Sequence, residues 1–168
     1  MPTDAELIFA EHAARLYAKH HGFPPMAGRL LGYLAICDPA EQTIDELAEA
    51  LLASRSAITG AVKLLEPMRL LNRTRRAGER VDRISVSLAA LEPQNFDSGL
   101  FSEQAALFRE GLALLPEDAR ARRAPLEEGV ALAEFLDERL PQVAAEWRER
   151  RAALRASGQL TDPHQNHR

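Results

Sequence analysis

The side chains with chemical capacity are concentrated in one stretch of this chain. Residues 54–83 hold eight basic residues (Arg55, Lys63, Arg69, Arg73, Arg75, Arg76, Arg80 and Arg83) against three acids (Glu66, Glu79 and Asp82). The remainder holds 13 basic and 22 acidic residues, so a local positive patch sits on an acidic body, and the whole chain has a formal net charge of −4. A patch of this kind says more about partners than the total charge does, and its natural counterpart is a polyanion. Within it "SRSAITGAVKLLE" places Arg55, Ser56, Thr59, Gly60 and Lys63 on one outward helical face, with Ser54 at its N-terminal end. Serine and threonine can bond phosphates or base edges, arginine can pair with guanine through two bonds, and glycine permits close approach. "TRRAGERVDR" then gathers Arg75, Arg76, Arg80 and Arg83 around Gly78. Arg80, near the tip, is placed to enter a minor groove, while Arg73, Arg75, Arg76 and Arg83 can neutralise phosphates. Glu79 and Asp82 read as partners that orient these arginines.

The elements that must position these groups follow from caps and periods. Thr3 with Glu6, and Thr43 with Glu46, have capping-box spacing, so helices are predicted to begin near Asp4 and Ile44. The first runs to about His20 and is broken by "HGFPP"; a second starts at the prolines, which a first turn tolerates, and closes at "CDPAEQ". The helix after Thr43 is short, with Ile44, Leu47, Ala48 and Leu51 as its apolar stripe. After a brief turn Ser54 caps the next helix, whose Ile58, Ala61, Val62 and Leu65 face inward. Pro67 predicts an early end to it near Leu65. The period then becomes alternating over residues 70–76 and 83–88, with Ile84, Val86 and Leu88 on one face, which predicts a two-stranded hairpin with glycine at its turn. "LEPQNFDSG" is a connector. A helix is expected over residues 102–115, "PEDARARRAP" is a break, and a long helix is expected over 126–156, kinked or restarted at Pro141. Residues 158–168 form a flexible tail.

Helix, short turn, helix with small polar outward residues, then a basic hairpin is the order of a winged helix-turn-helix, whose second helix enters the major groove by its N-terminal end. The segments "AGRLLGYL", "ELAEAL", "SRSAITGAVKLLE" and "RAGERVDR", within residues 26–88, resemble the DNA-binding region of MarR-type regulators, in particular the GbsR-like branch. The resemblance implies a fold that is mainly α with a small β-hairpin, and a homodimer built through N- and C-terminal helices. It implies residues 1–22 and 93–157 as dimerisation regions and 23–92 as the DNA-binding domain. As partners it implies double-stranded DNA, a second copy of the chain and a small-molecule effector bound between the dimer helices and the DNA-binding domain. One departure stands out: the family usually ends the recognition helix on glycine, where this chain has Arg69.

The expected function is sequence-specific transcriptional regulation, as a repressor on a pseudo-palindromic operator. The alternative is a winged-helix module that binds protein and no DNA. No catalytic constellation is visible. No cofactor and no metal site are expected: His20 and His21 are adjacent and make a poor chelate, and His164 and His167 lie in the tail without an acidic or thiol cluster. Cys37, the only cysteine, excludes an intrachain disulfide and reads as a small buried hydrophobe rather than a redox switch. Phe135 and Trp147 could line a ligand pocket, although aromatics at helical spacing are more often core. No apolar run reaches a membrane span and the N-terminus lacks a signal-peptide layout, so a cytoplasmic protein is expected.

Overall fold

Capping chemistry sets the first helix boundaries. The computed structural model describes residues 1–76, 78, 80–87 and 99–161, in two compact units, residues 1–90 and 91–168. In the first unit, α1 (Asp4–His21) opens on a closed capping box, with the Thr3 amide donating to Glu6 at 2.7 Å and the Glu6 amide donating to Thr3 Oγ1 at 3.3 Å. It ends at Gly22, whose φ of 67° lets the chain turn away. α2 (Pro25–Leu34) follows, entered through Pro24 and Pro25. These two helices lie close because Gly28 and Gly32 offer no side chains. A Cβ on Gly28 would sit 2.6 Å from Ala14 Cα, and one on Gly32 would sit 2.5 Å from Ala13 Cβ.

Next come β1 (Gln42–Thr43), α3 (Ile44–Ala50) and α4 (Arg55–Leu65). The Thr43–Glu46 capping box is present on α3, and Ser54 Oγ accepts the Ala57 amide to cap α4. α4 ends at Leu65, where Pro67 had predicted it would end. β2 (Leu71–Thr74) and β3 (Arg83–Val86) pair antiparallel, Leu71 opposite Val86 and Thr74 opposite Arg83. The sheet is not a lone hairpin. β1 adds a third strand, Gln42 opposite Ile84, giving the order β1-β3-β2. Each strand is shorter than its alternating run, and Leu88 lies outside the described residues. Leu30, Leu47, Leu51, Ile58, Val62, Leu65 and Ile84 are fully buried, so helices and sheet share one core.

The second unit contains α5 (Leu100–Ala113) and α6 (Arg120–Ala156) packed on each other. Gly129 accepts the Phe108 ring, which a Cβ there would meet at 2.7 Å. α6 departs from expectation: it starts six positions before residue 126 and runs unbroken through Pro125 and Pro141 over 37 residues. Pro125 lies only in the second turn, where its missing amide leaves one carbonyl without its helical donor, a local loss the rest of the helix tolerates. The Arg123 guanidinium anchors this start by donating to the carbonyls of Leu112 and Leu115 at the end of α5, at 3.3 and 3.2 Å. Among the described residues no helix is long and apolar enough to cross a membrane.

Candidate nucleic-acid interface

The exposed face of α4 is built as its sequence pattern requires. Ile58, Ala61, Val62 and Leu65 are buried, which turns Arg55, Ser56, Gly60 and Lys63 to solvent, with Thr59 half-buried. Ser54 serves first as cap, at 3.2 Å from the Ala57 amide, and its Oγ lies 2.9 Å from Ser56 Oγ. Its hydroxyl is therefore committed to the helix before any ligand arrives. No atom lies within 4 Å of where a Cβ on Gly60 would sit, so this glycine is not there for packing. Arg55 pairs with Asp45 on α3 at 2.6 Å, with its side chain 72% exposed.

The wing arginines are tied more closely than charge counting suggested. Arg73 binds Glu66, just past α4, through two bonds of 2.7 and 3.0 Å, and reaches Asp82 at 3.2 Å. Arg75 pairs with Asp82 at 2.6 Å, Arg76 with Glu41 at 3.3 Å, and Arg83 with Glu46 at 3.4 Å. The bonds from Arg75, then Arg73, hold the Asp82 carboxyl below its usual range, and the bond to Glu66 raises Arg73. Asp82 thus does orient arginines, whereas Glu79 lies outside the described residues. Arg80 is exposed beside Gly78, whose φ of 86° makes the turn. Among the described residues Lys63, Arg69 and Arg80 have no acidic partner within 4 Å.

Three of the counter-charges, Glu41, Asp45 and Glu46, come from outside residues 54–83. Sequence reasoning missed them because Glu41 and Glu46 stand 35 and 37 positions from their arginines. The strand pairing of β1 with β3 brings them there, and a two-residue strand leaves no periodic signal. The family's glycine position has a physical counterpart too: Arg69 adopts φ 57°, the left-handed conformation glycine takes without cost.

The other candidate residues have different surroundings. Cys37 is buried, with Sγ directed to the carbonyls of Leu34 and Pro39, and burial pushes its thiol pKa up, opposite to what a reactive thiolate needs. His21 packs with Tyr17 and Phe23 in an aromatic cluster. Among the described residues no group of three His, Cys, Asp or Glu could hold a metal; His164 and His167 lie outside them. Phe135 is 57% exposed on α6, and Trp147 is half-buried.

A family described as MmpR5-like MarR family transcriptional regulators matches residues 97–150, in the second unit. The HTH-type transcriptional regulator MmpR5 of Mycobacterium tuberculosis is 39% identical over 64 residues, 38% of this chain and 39% of that protein. The match thus spans well under half of that relative. A crystal structure of a transcriptional regulator superimposes with a TM-score of 0.72 at 26% identity, covering 86% of this chain and 99% of the other. The helices and three-stranded sheet therefore form the winged-helix fold of such regulators, and residues 97–150 are similar to the MmpR5-like MarR family.

Proposed function

We propose that this protein is a DNA-binding transcriptional regulator in which α4 reads a major groove and the β2–β3 wing lies over the flanking minor groove. The observation that carries the reading is the outward face of α4: a capped N-terminus, small polar residues, and a glycine with open space above it. A face so bare admits base edges at contact distance, and the helix N-terminus attracts phosphate. Ser56, Thr59, Gly60 and Lys63 lie against the bases and nearest phosphates; Arg80 enters the minor groove. Ser54, Arg55, Arg73, Arg75, Arg76 and Arg83 frame that surface. Electrophoretic titration of promoter DNA tests the reading. Binding that weakens steeply with salt supports it, and absence of binding at low salt removes it.

The working form is a homodimer. Large apolar side chains stay uncovered on α1 (Ile8, Phe9, Leu16), on α5 (Leu100, Leu107) and on α6 (Leu132, Phe135, Val143). Exposed apolar surface on this scale calls for a partner, and a two-fold pair would read half-sites about 34–36 Å apart. The GbsR-like branch, repression at a pseudo-palindromic operator, control by a small effector, and a cytoplasmic location complete the reading.

A second reading has one observation in its favour. Five arginines of the basic segment already face carboxylates, which reduces the field a duplex would feel. A winged-helix module that binds another protein would tolerate that neutralisation, and the same titration separates the two.

A further inference from the structure

The first unit contains a cavity of about 280 Å³ between the start of α1, the end of α2 and the β1–α3 segment. Glu6, Asp38, Glu46 and Glu49 line it, together with Tyr33 and Gln42. Two of these carboxylates are fixed and ionised. Glu6 and Glu46 each accept the amide of their capping threonine at 2.7 Å, and that bond keeps each below the usual carboxylate range. Asp38 and Glu49 have no ion-pair partner among the described residues.

A second, independent feature points to a ligand. Tyr33 lines the cavity with only 5% of its surface exposed, and its hydroxyl has no hydrogen-bond partner among the described residues. Gln42 is 6% exposed; its amide nitrogen donates to the Pro39 carbonyl at 3.1 Å, while its own carbonyl oxygen accepts nothing among those residues. Both groups lie on otherwise buried side chains and open into the cavity, where water or a ligand completes their hydrogen bonding. Apart from the Tyr33 O–H and the Met1 end of the chain, which also lines it, the cavity thus presents acceptors and negative charge. The acceptors do not converge on a point: no group of three carboxylates or imidazoles among the described residues could hold one metal ion. Spread acceptors match a ligand whose positive, donor-bearing groups are themselves spread along a chain.

We propose that this cavity binds a linear organic polyammonium cation, its ammonium groups held by the carboxylates of Asp38 and Glu49 and by the Tyr33 hydroxyl. Such a cation offers several charged N–H donors on a flexible apolar chain, and hydrogen bonds between charged partners are the strong ones. Glu46 joins the cavity to the wing, because the same carboxylate pairs with Arg83 on β3 at 3.4 Å. A cation drawing on Glu46 competes with Arg83. This gives the effector of the regulatory reading a chemical class, and it rests on that reading only for what binding does to DNA affinity.

The test is isothermal titration of the full chain with spermidine at fixed ionic strength, without DNA. Saturable binding is expected, weakened about tenfold or more in Asp38→Asn/Glu49→Gln and severalfold in Tyr33→Phe. Neither Asp38 nor Glu49 caps a helix, and Glu49→Gln alone, on an exposed side chain, serves if the double variant fails to fold. Magnesium chloride at matched ionic strength should not displace spermidine. The proposal is overturned by the absence of saturable binding, by equal affinity in the variants, or by displacement with magnesium, which marks a diffuse acidic surface. Because no DNA is present, each of these results leaves the DNA-binding reading untouched, and loss of that reading leaves the cavity's ligand standing.

Discussion

Gly60→Ala separates two reasons for a glycine in a helix. Gly60 lies in the interior of α4, where glycine is about 0.8–1 kcal/mol less favourable than alanine. A methyl group there meets no protein atom within 4 Å, so nothing in the fold opposes the gain. The substitution should raise the stability of the first unit by about 0.5–1 kcal/mol in urea unfolding. If α4 lies on base edges, the same methyl stands in the contact layer and should weaken DNA binding by about tenfold. Gly32→Ala is the opposite case. Its Cβ would sit 2.5 Å from Ala13 Cβ and 3.1 Å from Ala10 Cα, so α1 and α2 must part. Overpacking of this kind costs roughly 1–3 kcal/mol and outweighs the helix-propensity gain. That variant should lose stability and, where folded, keep its DNA affinity. A Gly60→Ala protein that gained stability and bound DNA as before would refute close approach as the reason for this glycine.

Three further outcomes follow from the same geometry. Arg80→Ala should leave the unfolding curve unchanged and lower DNA affinity at moderate salt; equal affinity would remove the wing tip from the interface. Leu132→Glu/Phe135→Glu, at two positions more than half exposed on α6, should shift the protein to monomer in sedimentation velocity without loss of helix by circular dichroism. An unchanged dimer would move the pairing surface elsewhere. Glu46 and Asp82 have carboxyls held below their ordinary values of 4.5 and 3.8, by the Thr43 amide and by Arg75 respectively. Their contribution to stability is therefore complete above those ordinary values and is lost as pH falls through the lower folded ones. Urea midpoints should hold down to about pH 5 and fall below pH 4, and a midpoint flat to pH 3 would show that these pairs do not support the wing.

Helices were legible wherever a cap and a stripe agreed. Thr3 with Glu6, Thr43 with Glu46, and Ser54 each mark an observed start, because the groups that satisfy free amides are local in sequence. Pro67 foretold the end of α4 for the same reason. What stayed hidden depends on distant partners. β1 is a strand only because β3 lies beside it, and the neutralising carboxylates reach the wing arginines only through that pairing. The start of α6 was misplaced because proline was weighed without the Arg123 anchor that holds the first turns against α5. On the candidate surface, the order of residues along α4 was legible, since a helix fixes its own outward face. The effective charge of the wing was not.

That charge yields a measurable number. If all eight basic residues of residues 54–83 neutralised phosphates, a dimer would release about sixteen counterions, and log affinity would fall with log salt at a slope near −14. Of these eight, Lys63, Arg69 and Arg80 are without acidic partners among the described residues, which gives about six contacts per dimer and a slope of roughly −5. The paired arginines are not idle in this account. Held by Glu66 and Asp82, Arg73 ties the end of α4 to both strands of the wing, so the two reading elements meet DNA in a fixed relation. Their charge is spent on that geometry instead of on phosphates. A slope near −5 in a salt titration of DNA affinity therefore supports rigid pairing. A slope approaching −14 would mean that the arginines abandon their carboxylates on DNA, and that the wing is reorganised by binding rather than prepared for it.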